Sequence, residues 1–263
     1  MFILFKIEIF IKSKILYLFP IFILFILFNI NSYAKEPTVI FKDGSTYIGD
    51  VVNGNMDGIG IFTSEKNEAG EQLIYSGRFK DGKFNGLGQL DFYNGDLYVG
   101  NFLDGLMHGS GILKYNNGAE YEGNFNKNNK DGKGKLVYAD GTVYEGDFKN
   151  DNIEGIGKII YEPGNEYQGN FLNNLMHGKG SFIFKDGSSY KGSFIDGQYN
   201  GIGIFIFPDG TSYKGEFKNG QRDGLGELIY IDTTKLSGNF KNGNFIGEIT
   251  ITFPDGTIQK QKN

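Results

Sequence analysis

A segment of 23 residues recurs along this chain and restricts what the chain can fold into. The copy YVGNFLDGLMHGSGILKYNNGAE begins at Tyr98. An earlier copy begins at Tyr47, offset by 28 residues because about five residues are inserted between Ser64 and Leu73. A period this regular indicates nine units stacked in one dimension. Their first residues are Tyr47, Tyr75, Tyr98, Tyr121, Tyr144, Tyr167, Tyr190, Tyr213 and Leu236.

Each copy reads as a β-hairpin. Two runs of alternating residues are separated by Asp104-Gly105, and Asn117-Gly118 turns the chain into the next copy. Where glycine is missing from the first turn, Asn128, Asp151 and Asn174 replace it, and these residues also tolerate positive φ. The sequence therefore predicts an all-β, elongated, single-layer, twisted antiparallel meander. Eighteen strands at ~4.8 Å each would extend roughly 85 Å.

Strand parity divides each copy into two faces when its first residue is numbered position 1. Face one carries positions 1, 3, 5, 12, 14, 16 and 18, and face two carries the residues between them. Tyrosine, phenylalanine and glycine dominate face one, and the glycines leave room for rings to lie across the backbone. We expect these rings to form the core. A platform that stacks on sugar rings is the alternative, and it requires Tyr98, Phe102 and Tyr115 to be exposed.

The first 34 residues have the layout of a signal peptide. Three lysines precede an uncharged apolar run of 14 residues from Ile15 to Phe28, and Ser32-Tyr33-Ala34 offers small residues before a cut at Lys35. The run is shorter than the ~20 residues that span a bilayer. An uncleaved anchor helix is the alternative. We therefore expect export to the periplasm, the envelope or the medium, or membrane anchoring if the segment is retained.

Composition limits the partners. Without residues 1–34 the chain has 23 basic and 30 acidic side chains, a net charge of −7, which argues against nucleic acid and against anionic lipid as partners. The absence of cysteine excludes disulfides and thiolate metal sites.

The motifs YEGNF, YEGDF and YKGEFKNGQRDGLG resemble MORN repeats (membrane occupation and recognition nexus), whose pattern is Tyr-x-Gly-x-aromatic-x-x-Gly followed by Gly-x-Gly. The resemblance covers about Gly44 to Gly256. It implies a single-layer β-meander that serves as a scaffold or interaction module. The chain departs from the pattern at Val51, Leu236 and Ile249, in end copies where atypical capping sequences are expected. We divide it into residues 1–34, an N-terminal half-repeat cap at 35–46, nine repeats at 47–257 and a polar tail at 258–263.

No catalytic, cofactor or metal site is predicted. His108 and His177 are three repeats apart, and other copies place Asp, Asn or Glu at the same position, so we interpret them as hydrogen-bonding loop residues. No Gly-x-Gly opens a helix as a nucleotide-binding motif would. No nucleophile, base and orienting group converge in the repeat frame. We expect a non-enzymatic scaffold that binds another protein or a second copy of itself.

The partner surface is predicted on face two of the middle and C-terminal repeats. A polar solvent face would not place a β-branched residue at position 17 in five successive copies, and a single-layer sheet cannot bury both of its faces. Strand propensity alone is the alternative explanation. We call this set the isoleucine stripe: Val137, Ile156, Ile160, Ile183, Ile202, Ile204, Ile206 and Ile229.

Overall fold

The structure is a computed structural model that describes residues 39–262, and these residues form one sheet of twenty strands with no helix. No segment of this described part is therefore a helix that could cross a membrane. The predicted signal segment lies outside the described residues. The strands are β1 (Val39–Ile40), β2 (Thr46–Val52), β3 (Asn55–Thr63), β4 (Ile74–Lys80), β5 (Lys83–Asp91), β6 (Leu97–Leu103), β7 (Leu106–Lys114), β8 (Glu120–Asn126), β9 (Asn129–Val137), β10 (Val143–Lys149), β11 (Asn152–Tyr161), β12 (Asn165–Leu172), β13 (Leu175–Ile183), β14 (Ser189–Ile195), β15 (Gln198–Ile206), β16 (Ser212–Lys218), β17 (Gln221–Ile229), β18 (Lys235–Lys241), β19 (Asn244–Thr252) and β20 (Ile258–Lys262).

Each strand pairs antiparallel with the next strand of the chain, which confirms the predicted meander. The nine repeats supply β2 to β19. At the N-terminal end Val39 pairs with Tyr47, as residues at position 16 pair with the tyrosine of the following repeat. At the C-terminal end the residues that we assigned to a polar tail form β20, which pairs with β19. Their alternating Ile258, Lys260 and Lys262 suit an exposed edge strand.

The turn inside each hairpin has two residues with positive φ. Asp104 and Gly105 have φ of 51° and 87°, and Asn173 and Asn174 have 50° and 67°. These angles define a type I′ turn, whose twist matches that of the flanking strands. The Asn and Asp residues that replace glycine have a second function. Asn174 Oδ1 accepts a hydrogen bond from Ile153 N at 2.7 Å, so its side chain joins successive repeats.

A bulge follows this turn in every repeat. Gly100 pairs with Gly111 but Phe102 pairs with Met107, so three residues of β7 face Asn101 alone. The carbonyl of Asn101 accepts a hydrogen bond from the hydroxyl of Tyr98 at 2.9 Å. The first tyrosine of all eight copies that have one makes the same bond to the residue three positions later. The tyrosine therefore holds the bulge as well as filling the core.

Tyr144→Phe tests this second role, because it removes only the hydroxyl that donates to Asp147 O at 2.9 Å. A buried acceptor left without a partner costs about 1–3 kcal/mol, so we expect a loss of that size in the free energy of unfolding. Urea denaturation measures it. Tyr93→Phe is the matched control because Tyr93 is exposed, and we expect almost no change there. Equal losses in the two variants would contradict the role of the hydroxyl.

The turn between repeats is a three-residue loop closed by the side chain of an Asp or Asn. Asp186 Oδ1 accepts the Ser188 N–H at 2.9 Å, and Gly187 has φ of 88°. The same arrangement recurs at Asp140, Asp209 and Asp255. This bond explains why the residue before this glycine is Asp or Asn. Two connections depart from the pattern, because Pro163 precedes Gly164 and because the longer loop between Ser64 and Leu73 has Ala69 before Gly70. In a third, Thr233 occupies the glycine position with φ of 70°.

Thr233→Gly should therefore stabilise the protein. A β-branched residue in the left-handed region costs roughly 1–2 kcal/mol, which exceeds the entropy that glycine adds to the unfolded chain, so we expect a net gain of about 0.5–1 kcal/mol. Thermal and urea denaturation measure the change. Thr234→Gly is the control because Thr234 is not among the residues with positive φ, and it should lower stability. A loss in both variants would show that Thr233 is not strained.

The core lies on face one, as predicted. Each first tyrosine is fully buried, and its ring covers the glycine pair at positions 3 and 14, such as Gly100 and Gly111. Phenylalanines at position 5 pack edge-on, with the Phe125 centroid 5.0 Å from Tyr98 and 5.1 Å from Tyr121. The last repeat has Leu236 in place of tyrosine, and Ile249 stands opposite Gly238 where other copies have the second glycine. The atoms nearest to a Cβ placed on Gly238 are Glu248 O and the ring of Phe245, rather than a tyrosine ring.

Candidate partner-binding surfaces

The tyrosine ladder is not accessible to a ligand. Tyr98 is 0% exposed and Phe102 is 3% exposed, although Tyr115 is half-buried. A sugar platform made of positions 1 and 5 is therefore wrong, because neighbouring rings cover both positions. What remains on face one is the half-buried row at position 18 together with the residues around it.

The residue at position 10 covers each tyrosine ring from the solvent side. The ring of Phe84 stacks on Tyr75 with centroids 3.8 Å apart, and Tyr199 stacks on Tyr190 at 3.9 Å. In another repeat the guanidinium of Arg222 lies 5.5 Å from the Tyr213 ring centroid. Position 10 therefore decides what face one shows to solvent in each repeat, and it varies from Met and Phe to Lys and Arg.

Half-buried rings form one continuous row across the C-terminal half of face one. The Phe182 and Phe184 centroids are 4.6 Å apart, those of Phe184 and Phe205 are 6.0 Å apart, and those of Phe205 and Phe207 are 4.8 Å apart. A contiguous row of partly exposed aromatic side chains has more apolar surface in solvent than core packing explains. We call this row the aromatic band: Tyr161, Phe182, Phe184, Tyr199, Phe205 and Phe207.

Two cavities adjoin the aromatic band. One of about 400 Å³ lies between Tyr138, Tyr161 and Met176. The other, of about 300 Å³, lies between Tyr199, Phe207 and Arg222. Both are apolar depressions with a few polar groups at their margins, which is the usual character of a binding site.

The polar groups at these cavities include several hydrogen-bond donors. Burial raises the pKa of the Tyr138 and Tyr161 hydroxyls and raises that of Tyr199 to about 12, so all three are protonated at neutral pH. Arg222 donates from Nη2 to Gly243 O at 2.6 Å. Its neighbour Asp223 is paired with Lys241 at 3.0 Å, and no carboxylate within residues 39–262 forms an ion pair with Arg222. Within the described residues the guanidinium of Arg222 at the second cavity is therefore a cation without an ion-pair partner.

The isoleucine stripe lies on face two and is partly exposed, but the sheet does not bring its members together as one patch. Ile156 and Ile202 are 62% and 60% exposed, and Ile160 is 41% exposed. Ile183 pairs with Glu166 on one side and with Ser189 on the other. Ser212 likewise separates Ile206 from Ile229. Two parts of the stripe are contiguous: Val137 and Ile160 flank Val143 across the strands, and Ile202, Ile204 and Ile206 follow one another on one face of β15. Across the strands, polar residues separate these parts from each other.

The two histidines lie far apart on the sheet, in β7 and β13, with five strands between them. His177 Nδ1 is 3.7 Å from Asp196 Oδ1 in the next turn. At the same position in other repeats, Asp57 and Asp131 accept backbone amides of the next turn at 3.4 Å. This position therefore contacts the following repeat. Within the described range no three His, Asp or Glu side chains are placed to hold a metal ion.

Sequence reasoning identified the rings of the aromatic band other than Tyr199 but assigned them to the core. The band could have been identified from the number of aromatic residues in its repeats. Repeats six and seven have aromatic residues at both positions 16 and 18, where most repeats have one aromatic and one aliphatic residue. Phe182, Phe184, Phe205 and Phe207 are these four rings.

Two solved structures resemble this chain distantly. The TCP domain of SAS-4 (dCPAP) from Drosophila melanogaster, solved with a proline-rich motif of Ana2 (dSTIL), is 18% identical with a TM-score of 0.40, covering 59% of this chain and 85% of that one. The TCP10 domain of Danio rerio CPAP is 14% identical with a TM-score of 0.41, covering 86% of this chain and 99% of that one. A search of curated proteins found no match.

A family model describes the repeats directly. The MORN repeat matches eight consecutive segments: residues 47–67, 75–97, 98–120, 121–143, 144–166, 167–189, 190–212 and 213–235. The ninth repeat is not matched, and it is the one that lacks the tyrosine and the second glycine, although β18 and β19 have the same hairpin form. The chain belongs to the MORN-repeat family.

Proposed function

We propose that this chain is an exported, non-enzymatic scaffold that binds a protein partner through the aromatic band of face one. The observation that carries the proposal is the contiguous row of half-buried rings between two cavities. The apolar N-terminal segment, with its small residues before Lys35, supports export. Membrane anchoring through the same segment is the alternative location.

Several features of the band favour a protein partner. Aromatic residues are enriched at the centres of protein interfaces, where they contribute a large contact area at low conformational cost. Because the core tyrosines beneath are already packed, the band presents a rigid surface that need not rearrange on binding. The donors at the margins suit carbonyl oxygens, which a polypeptide supplies at every residue.

The proposal is tested by recovering partners from the native envelope or medium with the parent chain and with Phe184→Ala. Ile183→Thr is the matched control, since it changes the preceding residue, which is the last of β13 and lies on face two. We expect Phe184→Ala to lose the partner and Ile183→Thr to keep it. Retention by Phe184→Ala, with loss in the control, would place the contact on the other face.

Self-association through the isoleucine stripe is the second candidate, favoured by the exposure of Ile160, Ile183 and Ile206. Changing all three to Thr keeps β-branching and removes apolar area. If the stripe is an interface between copies, the triple variant should remain folded and shift to a smaller species in sedimentation velocity. An unchanged oligomeric state and unchanged partner recovery would mean that the stripe reflects strand composition only.

A further inference from the structure

The spacing of the aromatic band selects one kind of ligand conformation. Each repeat contributes two strands, so equivalent rings such as Tyr161, Phe184 and Phe207 recur about every 9.6 Å along the sheet. A polyproline II helix has three residues per turn and rises about 3.1 Å per residue, so every third side chain recurs at about 9.3 Å. The two periods differ by about 0.3 Å per repeat, and over the three repeats of the band they stay within ~1 Å of each other.

The chemistry of the band agrees with this period. A polyproline II segment makes no internal hydrogen bonds, so its carbonyl oxygens need donors, while its prolines have no N–H to satisfy. The hydroxyls of Tyr138, Tyr161 and Tyr199 make no hydrogen bond within residues 39–262 and line the two cavities. Aromatic-lined grooves are a recurrent way to bind such segments.

Charge specifies one further position of the ligand. Arg222 lines the cavity beside Tyr199 and Phe207, and its guanidinium lies 5.1 Å from the Phe240 ring centroid. It has no carboxylate partner in the described part of the chain, unlike Lys130, which lies 3.5 Å from Asp151 Oδ1. A ligand with an acidic side chain at this end would supply the missing partner.

We propose that the aromatic band binds a proline-rich segment of a partner protein in the polyproline II conformation, with proline at every third residue and an acidic residue beside Arg222. This inference rests on the proposed function and adds the chemical class of the partner. The segment would run across the strands, with about one turn of polyproline II for each repeat.

The test is fluorescence anisotropy of the full-length chain with labelled twelve-residue peptides that carry proline at every third position. One version has a single Glu near its N-terminus and the other has a single Glu near its C-terminus, so that both directions of the segment along the band are tested. A scrambled peptide and Glu→Gln peptides are the controls. We expect saturable binding of one ordered peptide and at least tenfold weaker binding of the scrambled one. Equal binding of the two, or no peptide binding, would overturn the inference.

Variants of the protein identify the residues that contact the peptide. Phe184→Ala should weaken binding of the ordered peptide at least tenfold, as central interface rings do, and Ile183→Thr should leave binding unchanged. Arg222→Gln should weaken the Glu peptide about tenfold, as the loss of a charged hydrogen bond does, and should leave the Gln peptide nearly unaffected. Circular dichroism checks that each variant is folded. Equal effects of Arg222→Gln on the two peptides would overturn the acidic position.

The outcomes separate this inference from the proposed function. If no peptide binds but Phe184→Ala still loses a native partner, the scaffold function stands and the polyproline inference fails. If soluble oligosaccharides of glucose or N-acetylglucosamine bind in a Phe184-dependent way and the peptides do not, the band is a carbohydrate site and both proposals fail.

Discussion

Gly123→Ala is expected to cost about 2–3 kcal/mol of the free energy of unfolding, although it adds only one methyl group. A Cβ at this position would lie 2.6 Å from the Cα of Gly134 and 2.6 Å from Cζ of Tyr121, and closer still to the Tyr121 hydroxyl. Neither the paired backbone nor the ring can move away, since the Tyr121 hydroxyl donates to Asn124 O at 2.9 Å. The edge contact between Tyr121 and Phe148 would be lost with any shift of the ring.

Gly238→Ala is the matched control for this prediction. Gly238 occupies the same position in the last repeat, where the ring is missing, and the nearest atoms to an added Cβ are Glu248 O at 3.1 Å and Phe245 Cδ1 at 3.2 Å. We expect a loss of less than about 1 kcal/mol there. Urea denaturation measures both variants. Similar losses at the two positions would mean that the ring over the glycine pair is not what excludes a side chain.

Alkaline pH is expected to unfold the repeats cooperatively. Burial raises the pKa of Tyr167, Tyr190 and Tyr213 to about 12, and it raises the pKa of Tyr98 and Tyr121 as well. The folded state therefore holds these protons more tightly than the unfolded state. Their contribution to stability is complete below pH ~10, the ordinary value for tyrosine, and is lost as the pH rises from there through the folded-state values.

Because all eight ladder tyrosines act in the same direction, the loss should be steep. Phenolate absorbance and the far-UV circular dichroism of the sheet, followed together between pH 9 and 13, measure it. We expect most of the phenolate signal to appear together with the loss of the sheet signal. Full ionisation near pH 10 with the sheet intact would show that the ladder is not buried.

Much of the fold could be predicted from the sequence because the same turn and strand patterns recur in every repeat. The turn glycines, their replacements such as Asp151 and Asn174, and the burial of rings such as Tyr98 and Phe102 followed from spacing and parity. The bulge beside Asn101 did not, because parity is unchanged when two extra residues enter a strand. The tyrosine-to-carbonyl bond depends on this bulge and was therefore missed as well.

The candidate sites were harder to predict because they depend on neighbours across strands. The stripe was predicted mainly from one position of the repeat, position 17, where Ile183 and four other β-branched residues lie in successive copies. The hairpin turn and its bulge place Glu166 beside it on one side, and the three-residue loop places Ser189 beside it on the other, so the apolar row is interrupted there. The aromatic band depends on which rings remain half-buried after packing, and that depends on the position-10 residues above the ladder.

The most direct measurement of the central claim is photo-crosslinking from two adjacent positions that face opposite sides of one hairpin. Benzoylphenylalanine replaces Phe184 in one variant and Ile183 in the other, and both are irradiated in the native envelope or medium. The account predicts that the Phe184 variant forms a discrete crosslinked product with a protein partner and that the Ile183 variant does not. A product from Ile183 alone would contradict the assignment of partner binding to the aromatic band.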